Sequence, residues 1–184
     1  MQNTNYTFPI HISLILEKTN FIFWTNKSMD FNTNILWINT AWYFTFMHLI
    51  RYELISHNTW VTDHTVLDNL LNGRFIEHSS RLTCLGLLQS YFLKYRWLVL
   101  CSLTNNELVS IDKFFKNMGW LEREVSEMYG VGFVGKMDTR KLLLDYSKIE
   151  HPMLKDFPTE GLKDVFYDIL DNQIEYVSHE TIEL

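Results

Sequence analysis

Ionisable side chains crowd into one stretch of this chain: Glu122, Arg123, Glu124 and Glu127, followed by Asp138, Arg140, Asp145, Lys155 and Asp156. A pair of carboxylates can share general acid and base duty, and Glu124 with Asp145 is the pair from which such a site could be drawn. Charges of alternating sign along a helix and the segment after it more often make salt bridges, solvated or at an interface. That reading is preferred here. The histidines His11, His48, His57, His64, His78, His151 and His179 form neither H-x-H nor H-E-x-x-H, and none adjoins a cysteine. Metal-ligand spacing is therefore missing, and surface or capping histidines are expected. Cys84 and Cys101 each sit among apolar neighbours and read as small buried hydrophobes. An iron–sulfur cluster normally takes more thiolates than this chain has, so the chain cannot house one alone. Gly130-Val131-Gly132 lacks the third glycine of a dinucleotide-binding turn, and two turn glycines is the simpler reading.

Composition removes further classes. A net charge of −6, with a pI near 5.6 and scattered Lys and Arg, argues against a nucleic-acid partner. The longest apolar stretch, Ile35 to Ile50, contains Asn39, Thr45 and His48 and is shorter than the roughly 20 residues of a membrane span. No transmembrane span is expected. The 13 Phe, 9 Tyr and 6 Trp offer more aromatic surface than the chain's own core needs. Some of it can meet another protein, and codon bias of an organelle gene is an equal explanation. Met1 to Lys18 lacks a basic n-region and the Arg-rich pattern of an import presequence.

The elements that would position these residues can be read from periodicity. Ile12 to Leu16 and Phe21 to Trp24 are short apolar runs, two strands or a helix and a strand, and residues 1–33 stay without firm assignment. Asn34 to Asn39 reads as a buried strand. Trp42, Phe46, Leu49, Ile50 and Leu54 recur at helical steps behind Thr40 as N-cap. Val66, Leu67, Leu70 and Leu71 suggest a short helix or turn closed by Asn72-Gly73. Thr83 to Phe92 and Trp97 to Leu103 make an antiparallel strand pair. Ile111, Phe114, Phe115 and Met118 predict an amphipathic helix behind Ser110 that stops at Gly119. A second helix over Trp120 to Gly130 would bury Leu121, Val125 and Met128 and pair Arg123 with Glu127. Beyond it, Pro152 and Pro158 interrupt any continuous helix. Val165, Tyr167 and Ile169, then Ile174 and Tyr176 across Asp171-Asn172, suggest a terminal hairpin. The fold class is thus α/β (α+β): a compact domain over 1–130 with a small mixed or antiparallel sheet and helices, then an extended arm over 131–184 that needs something to lie against.

Three linked motifs carry a family resemblance. Gly119-Trp120-Leu121-Glu122-Arg123-Glu124-Val125-Ser126-Glu127-Met128-Tyr129-Gly130-Val131-Gly132-Phe133 resembles the signature of the 30 kDa subunit of respiratory complex I (NADH:ubiquinone oxidoreductase). Asp138 to Tyr146, and Glu150 to Pro158 with its His151-Pro152 and Lys155-Asp156-Phe157-Pro158, resemble the family's next two motifs in order and spacing, and Gly161 and Tyr167-Asp168 continue the pattern. Arg81 to Ser102 is similar to the family's strand pair. Two departures stand out: Lys136-Met137 replaces the family's His-Pro before Asp138, and Glu150 replaces the glycine before His151. The resemblance implies a structural subunit of the peripheral arm without catalytic residues, packed on the quinone-pocket and iron–sulfur subunits. FMN, iron–sulfur clusters and ubiquinone would be held by those neighbours. Trp120, Glu122, Arg123, Glu124, Gly130, Asp138, Arg140, Asp145, Tyr146, His151, Pro152, Lys155, Asp156, Phe157, Pro158 and Gly161 are then the expected motif and interface residues. The implied place is the matrix side of the mitochondrial inner membrane, or the cytoplasmic side of a bacterial one. A related subunit of a membrane-bound hydrogenase complex, and an independent acid/base enzyme, are the competing readings.

Overall fold

A computed structural model describes residues 22–27, 33–52, 59–70, 80–90, 95–146, 150–159 and 161–178. The runs expected at Ile12–Leu16 and the turn at Asn72-Gly73 lie outside these residues. Five strands form a mixed sheet: β1 (Ile22–Lys27), β2 (Thr33–Ile38), β3 (Thr59–Asp68), β4 (Leu82–Ser90) and β5 (Tyr95–Ser102), in the order β1-β2-β5-β4-β3. β2 runs parallel to β5, and the other neighbours are antiparallel. Alternation explains the buried face. Leu36 and Ile38, Cys84 and Leu88, and Trp97, Val99 and Cys101 all point to one side, where they meet α1 (Thr40–Tyr52) and α2 (Met118–Tyr129). Cys84 and Cys101 are free, buried and directly opposite in register, as small hydrophobes would be.

The strand pair expected around Arg81 to Leu103 is present, and so is the helix after Thr40. Its details differ. Asn39 caps α1, its Oδ1 accepting the Ala41 N–H at 3.2 Å, and Thr40 is already helical. The buried stripe is Tyr43, Phe46, Met47 and Ile50, and it turns Trp42 outward. Phe46 stacks on Trp97 across the core, ring centroids 6.5 Å apart.

Two sequence expectations fail for identifiable reasons. Of the short helix or turn expected over Val66 to Leu71, Val66 and Leu67 belong instead to the ten-residue strand β3, a turn is present at Leu70, and Leu71 lies outside the described residues. A register shift between Val61 and Asp63 changes the inward set from Thr59 and Val61 to His64, Val66 and Asp68, which breaks the period of two. The Thr62 hydroxyl donates to the Leu87 carbonyl at this bulge, at 3.0 Å. The amphipathic helix expected over Ile111 to Met118 is instead a chain of turns, closed by Phe114 N–H to Ile111 O at 3.0 Å and Met118 N–H to Phe115 O at 2.9 Å. Ile111, Phe115 and Met118 are nevertheless buried, so the pattern reports burial correctly and the element wrongly. The Ile111 N–H at the start of that segment is taken by Glu122 of α2, and the backbone bonds after it are mostly to the third residue back, the tighter spacing of turns. Gly119 lies in the first turn of α2 and stops nothing.

After α2 the chain forms β7 (Gly132–Val134), parallel to β6 (Glu107–Val109). Gly132 is therefore a strand residue, and Gly130 alone of the two glycines shapes the turn. Val131 joins the core and Leu154 packs against it. The expected terminal hairpin is present as β8 (Lys163–Asp168) and β9 (Gln173–Ser178), joined by a turn with Asn172 at φ 52°. No helix among the described residues is long and apolar enough to cross a membrane.

Candidate functional site

α2 carries the first motif and organises the other two. Its surface holds two buried carboxylates, Glu122 and Glu127, where the sequence pattern promised Leu121, Val125 and Met128; of those, Val125 is buried. Glu122, fully buried, accepts the Ser110 hydroxyl at 2.6 Å, the Ile111 N–H at 2.8 Å and the Lys136 ammonium at 3.0 Å. Lys136 is itself almost wholly buried in this ion pair. Such a pair persists only where further hydrogen bonds fill the carboxylate's remaining lone pairs, and Ser110 and Ile111 do that.

Glu127 works differently. The expected Arg123–Glu127 pair does not form, because both side chains are engaged with the returning arm. Glu127 receives the backbone N–H groups of Leu142 (2.9 Å), Leu143 (3.0 Å) and Leu144. Burial pushes its pKa up, and the N–H groups of Leu143, Leu142 and Leu144 together outweigh that, so the net displacement is downward. Arg123 donates from Nε to the Arg140 carbonyl at 2.7 Å and from Nη2 to the Lys141 carbonyl at 3.2 Å, and it lies 3.6 Å from Asp138. One helix thus clamps the Asp138–Leu144 segment with an acid and a base four residues apart, each bonding backbone groups of opposite polarity. Trp120 is exposed, with the Arg123 guanidinium 5.2 Å from its ring centroid.

The C-terminus of α2 holds the third motif. Gly130 adopts φ 72°, and its N–H bonds the Ser126 carbonyl. A Cβ there would sit 2.8 Å from the His151 ring. His151 Nδ1 bonds the Glu127 carbonyl at 2.8 Å, and the Met153 N–H donates to the Met128 carbonyl. The capping role expected for histidine is found at His151. His64 departs from it: it is buried, with Nε2 3.0 Å from the Cys84 sulfur and 3.4 Å from the Tyr43 hydroxyl. Its Nδ1 has no partner among the described residues. Burial, helped by the Lys136 charge, lowers its pKa to about 4.

A second latch ties the arm to the sheet. Asp68, at the end of β3, accepts two bonds from Arg81 (3.1 and 3.0 Å), one from the Leu70 N–H and one from the Lys155 N–H. Arg81 also reaches Asp156 at 2.6 Å, and the Lys155 ammonium donates to the Leu70 carbonyl at 3.1 Å. Arg81 holds the Asp68 carboxyl down at about 2, and it holds Asp156 below its ordinary value too. Sequence reasoning missed Asp68, Ser110 and this use of Arg81. A lone Asp at a strand end carries no periodic signal, and its partner Lys155 stands 87 residues away.

The remaining motif residues lie outside both latches or at their rims. Asp138 is engaged by Arg140 at 2.9 and 2.8 Å, which keeps its carboxyl well below the usual range. Tyr146 is exposed, its hydroxyl bonding the Lys141 carbonyl. Pro152, Phe157 and Pro158 are half-buried. The Gly161 N–H bonds the Pro158 carbonyl, and Gly161 turns the chain at φ 83°. Glu124 and Asp145 are both exposed, so the drawn carboxylate pair has no enclosure. A cavity of about 180 Å³ lies between α2 and the arm, lined by Arg123, Ser126, Glu127, Phe133, Lys136, Thr139, Arg140, Lys141 and His151. It is smaller than the roughly 300–1,000 Å³ of small-molecule sites. Three of its cations are already paired with Asp138 and Glu122.

A five-stranded mixed sheet with two helices, whose first-motif residues Glu127 and Arg123 hold the segment that follows, defines an α+β domain. The family model for the respiratory-chain NADH dehydrogenase 30 Kd subunit matches residues 36–163. NADH-ubiquinone oxidoreductase subunit 9 of Paramecium primaurelia is 30% identical, over 97% of this chain and 88% of that one. An NADH-quinone oxidoreductase subunit of Rickettsia felis is 36% identical over 65% of this chain and 57% of its own length. Among solved structures, a trypsin-resistant fragment of Nqo5 shares the fold at TM-score 0.58 and 17% identity, covering 71% of this chain and 99% of the fragment. A chain of an archaeal membrane-bound sulfane sulfur reductase shares it at TM-score 0.63 and 16% identity, with 82% and 85% covered. The chain belongs to the family of the 30 kDa subunit of respiratory-chain NADH dehydrogenase, complex I. It is a subunit of an enzyme complex, NADH–quinone oxidoreductase, and its partners are other subunits of that complex.

Proposed function

We propose that this chain is a non-catalytic scaffold of the peripheral arm, packed on the quinone-pocket and iron–sulfur subunits at the matrix side of the mitochondrial inner membrane. In this reading FMN, the iron–sulfur clusters and ubiquinone are all held by neighbours. One observation carries it: Glu122, Arg123 and Glu127 of the first motif, and Asp138, Lys155 and Asp156 of the next two, are engaged as structural acceptors and donors. Glu122, Glu127 and Asp68 have their lone pairs filled by backbone N–H groups, a hydroxyl and paired cations. A carboxylate so filled cannot trade a proton with a substrate without releasing what it holds. The hairpin supports the reading from the other side, since Val165, Phe166, Tyr167, Ile174, Tyr176 and Val177 are all exposed on two strands that bury little of their own.

The test is the native complex made with a chain ended after Leu162. The truncated chain is expected to leave far less complex on a blue-native gel, while the residual complex keeps its NADH–quinone turnover per flavin. A normal quantity of complex with a collapsed turnover per flavin would overturn the scaffold role.

A further inference from the structure

The hairpin's two faces are chemically different. Val165 pairs with Tyr176, and Tyr167 with Ile174, and residues directly opposite across a ladder share a face. These four side chains, 53–62% exposed, make one continuous apolar face. The turn extends it with Ile169 and Leu170, the latter 92% exposed. On the reverse face, Asp164 stands beside Val177, Phe166 beside Glu175 and Asp168 beside Gln173, so every apolar group has a polar or acidic neighbour.

Resting on the subunit reading above, we propose that the hairpin docks on a partner protein through the Val165–Tyr167–Ile174–Tyr176 face alone, and that the partner offers an apolar surface with a basic rim. A two-stranded hairpin is at best marginally stable in water, so a face this apolar needs a cover. Charge decides the kind of cover. Residues 163–178 hold Lys163 against Asp164, Asp168, Asp171 and Glu175. The carboxylates of Asp168, Asp171 and Glu175 gather within 4.8 Å of one another at the turn end of the hairpin. An anionic membrane surface would repel this edge, whereas Lys or Arg on a protein would relieve its self-repulsion. Away from that turn end, the reverse face of Asp164, Phe166 and Val177 is left toward solvent.

Hydroxyl-radical footprinting of the full chain, free and within the purified native complex, tests the proposal. Tyr167, Tyr176 and Leu170 are expected to react severalfold more slowly in the complex, and Phe166 at an unchanged rate. Equal protection of Phe166 and Tyr167, protection of Phe166 alone, or no protection in a chain that co-purifies would each overturn the one-faced docking. Protection of Tyr167 and Tyr176 in the free chain by phosphatidylserine-containing vesicles would overturn the protein partner in favour of a lipid surface. A chain that does not co-purify at all would instead overturn the subunit reading itself. For the rim, the double variant Asp171→Lys, Glu175→Lys is expected to lower the assembled complex severalfold, and undiminished assembly would overturn that part.

Discussion

Replacing Glu127 by Gln removes one charge and little volume, so it isolates what the carboxylate does for the arm. In the native chain, two carboxylate oxygens serve three backbone N–H groups in succession, those of Leu142, Leu143 and Leu144. Gln keeps one oxygen and turns an NH₂ toward an N–H, which leaves at least one buried donor facing another. Hydrogen bonds to a charged group contribute about 1.5–3 kcal/mol each, and an unsatisfied buried donor costs about 1–3 kcal/mol. A net loss of about 3 kcal/mol is expected, because the Arg123 bonds to the Arg140 and Lys141 carbonyls survive and limit the damage. The loss is local, so it should read as easier opening of the segment and not as unfolding of the sheet. Hydrogen exchange measures this directly. The amides of residues 142–144 should exchange roughly a hundredfold faster in Glu127→Gln, since about 1.4 kcal/mol corresponds to a factor of ten, while those of β4 and β5 stay as they were. The sign with pH agrees. The folded carboxyl has a depressed pKa, so its contribution is present above the ordinary carboxylate range and is lost as pH falls through the folded value. Unchanged exchange at 142–144 would refute the claim that Glu127 holds the arm.

Other consequences can be checked on the same chain. Lys136→Met strands the buried Glu122 carboxylate and should cost about 3–5 kcal/mol in chemical denaturation, whereas replacing both partners with apolar residues should cost much less. Gly130→Ala meets both a left-handed backbone and the His151 ring, so a loss of more than about 1 kcal/mol is expected, smaller when His151→Ala is already present. The buried His64 has a pKa of about 4 against an ordinary 6.5, so the unfolded chain binds the extra proton first. Stability should therefore fall by up to about 3 kcal/mol as pH drops from 6.5 toward 4, and His64→Gln should flatten that window. Asp68, held at about 2 by Arg81, acts lower down. Its contribution is present above about 3.8 and lost toward 2, a loss that Asp68→Asn should not show.

What can be read from the sequence is whatever repeats along it. The hairpin, the strand pair, the helix after Thr40 and the helix of the first motif are periodic, and each is present. β3 is hidden because one bulge at Thr62 shifts its inward set by a residue. The turns over Ile111 to Met118 imitate a helix because burial, rather than helical bonding, sets the spacing. The motif residues are legible as a group and their roles are not. Glu122 and Glu127 read as surface charge because nothing local shows that Ser110, Lys136 or the amides of 142–144 return to meet them. Asp68 and Arg81 carry no pattern at all, and their joint contact with Lys155 and Asp156 exists only once the chain has folded.

In the proposed role the chain holds other subunits in place and takes no chemical step. The direct measurement is NADH–quinone turnover, normalised to flavin, in complex assembled with Arg140→Ala or Lys155→Ala. Less assembled complex and an unchanged rate per flavin are expected. A full quantity of complex with a collapsed rate per flavin would contradict that role.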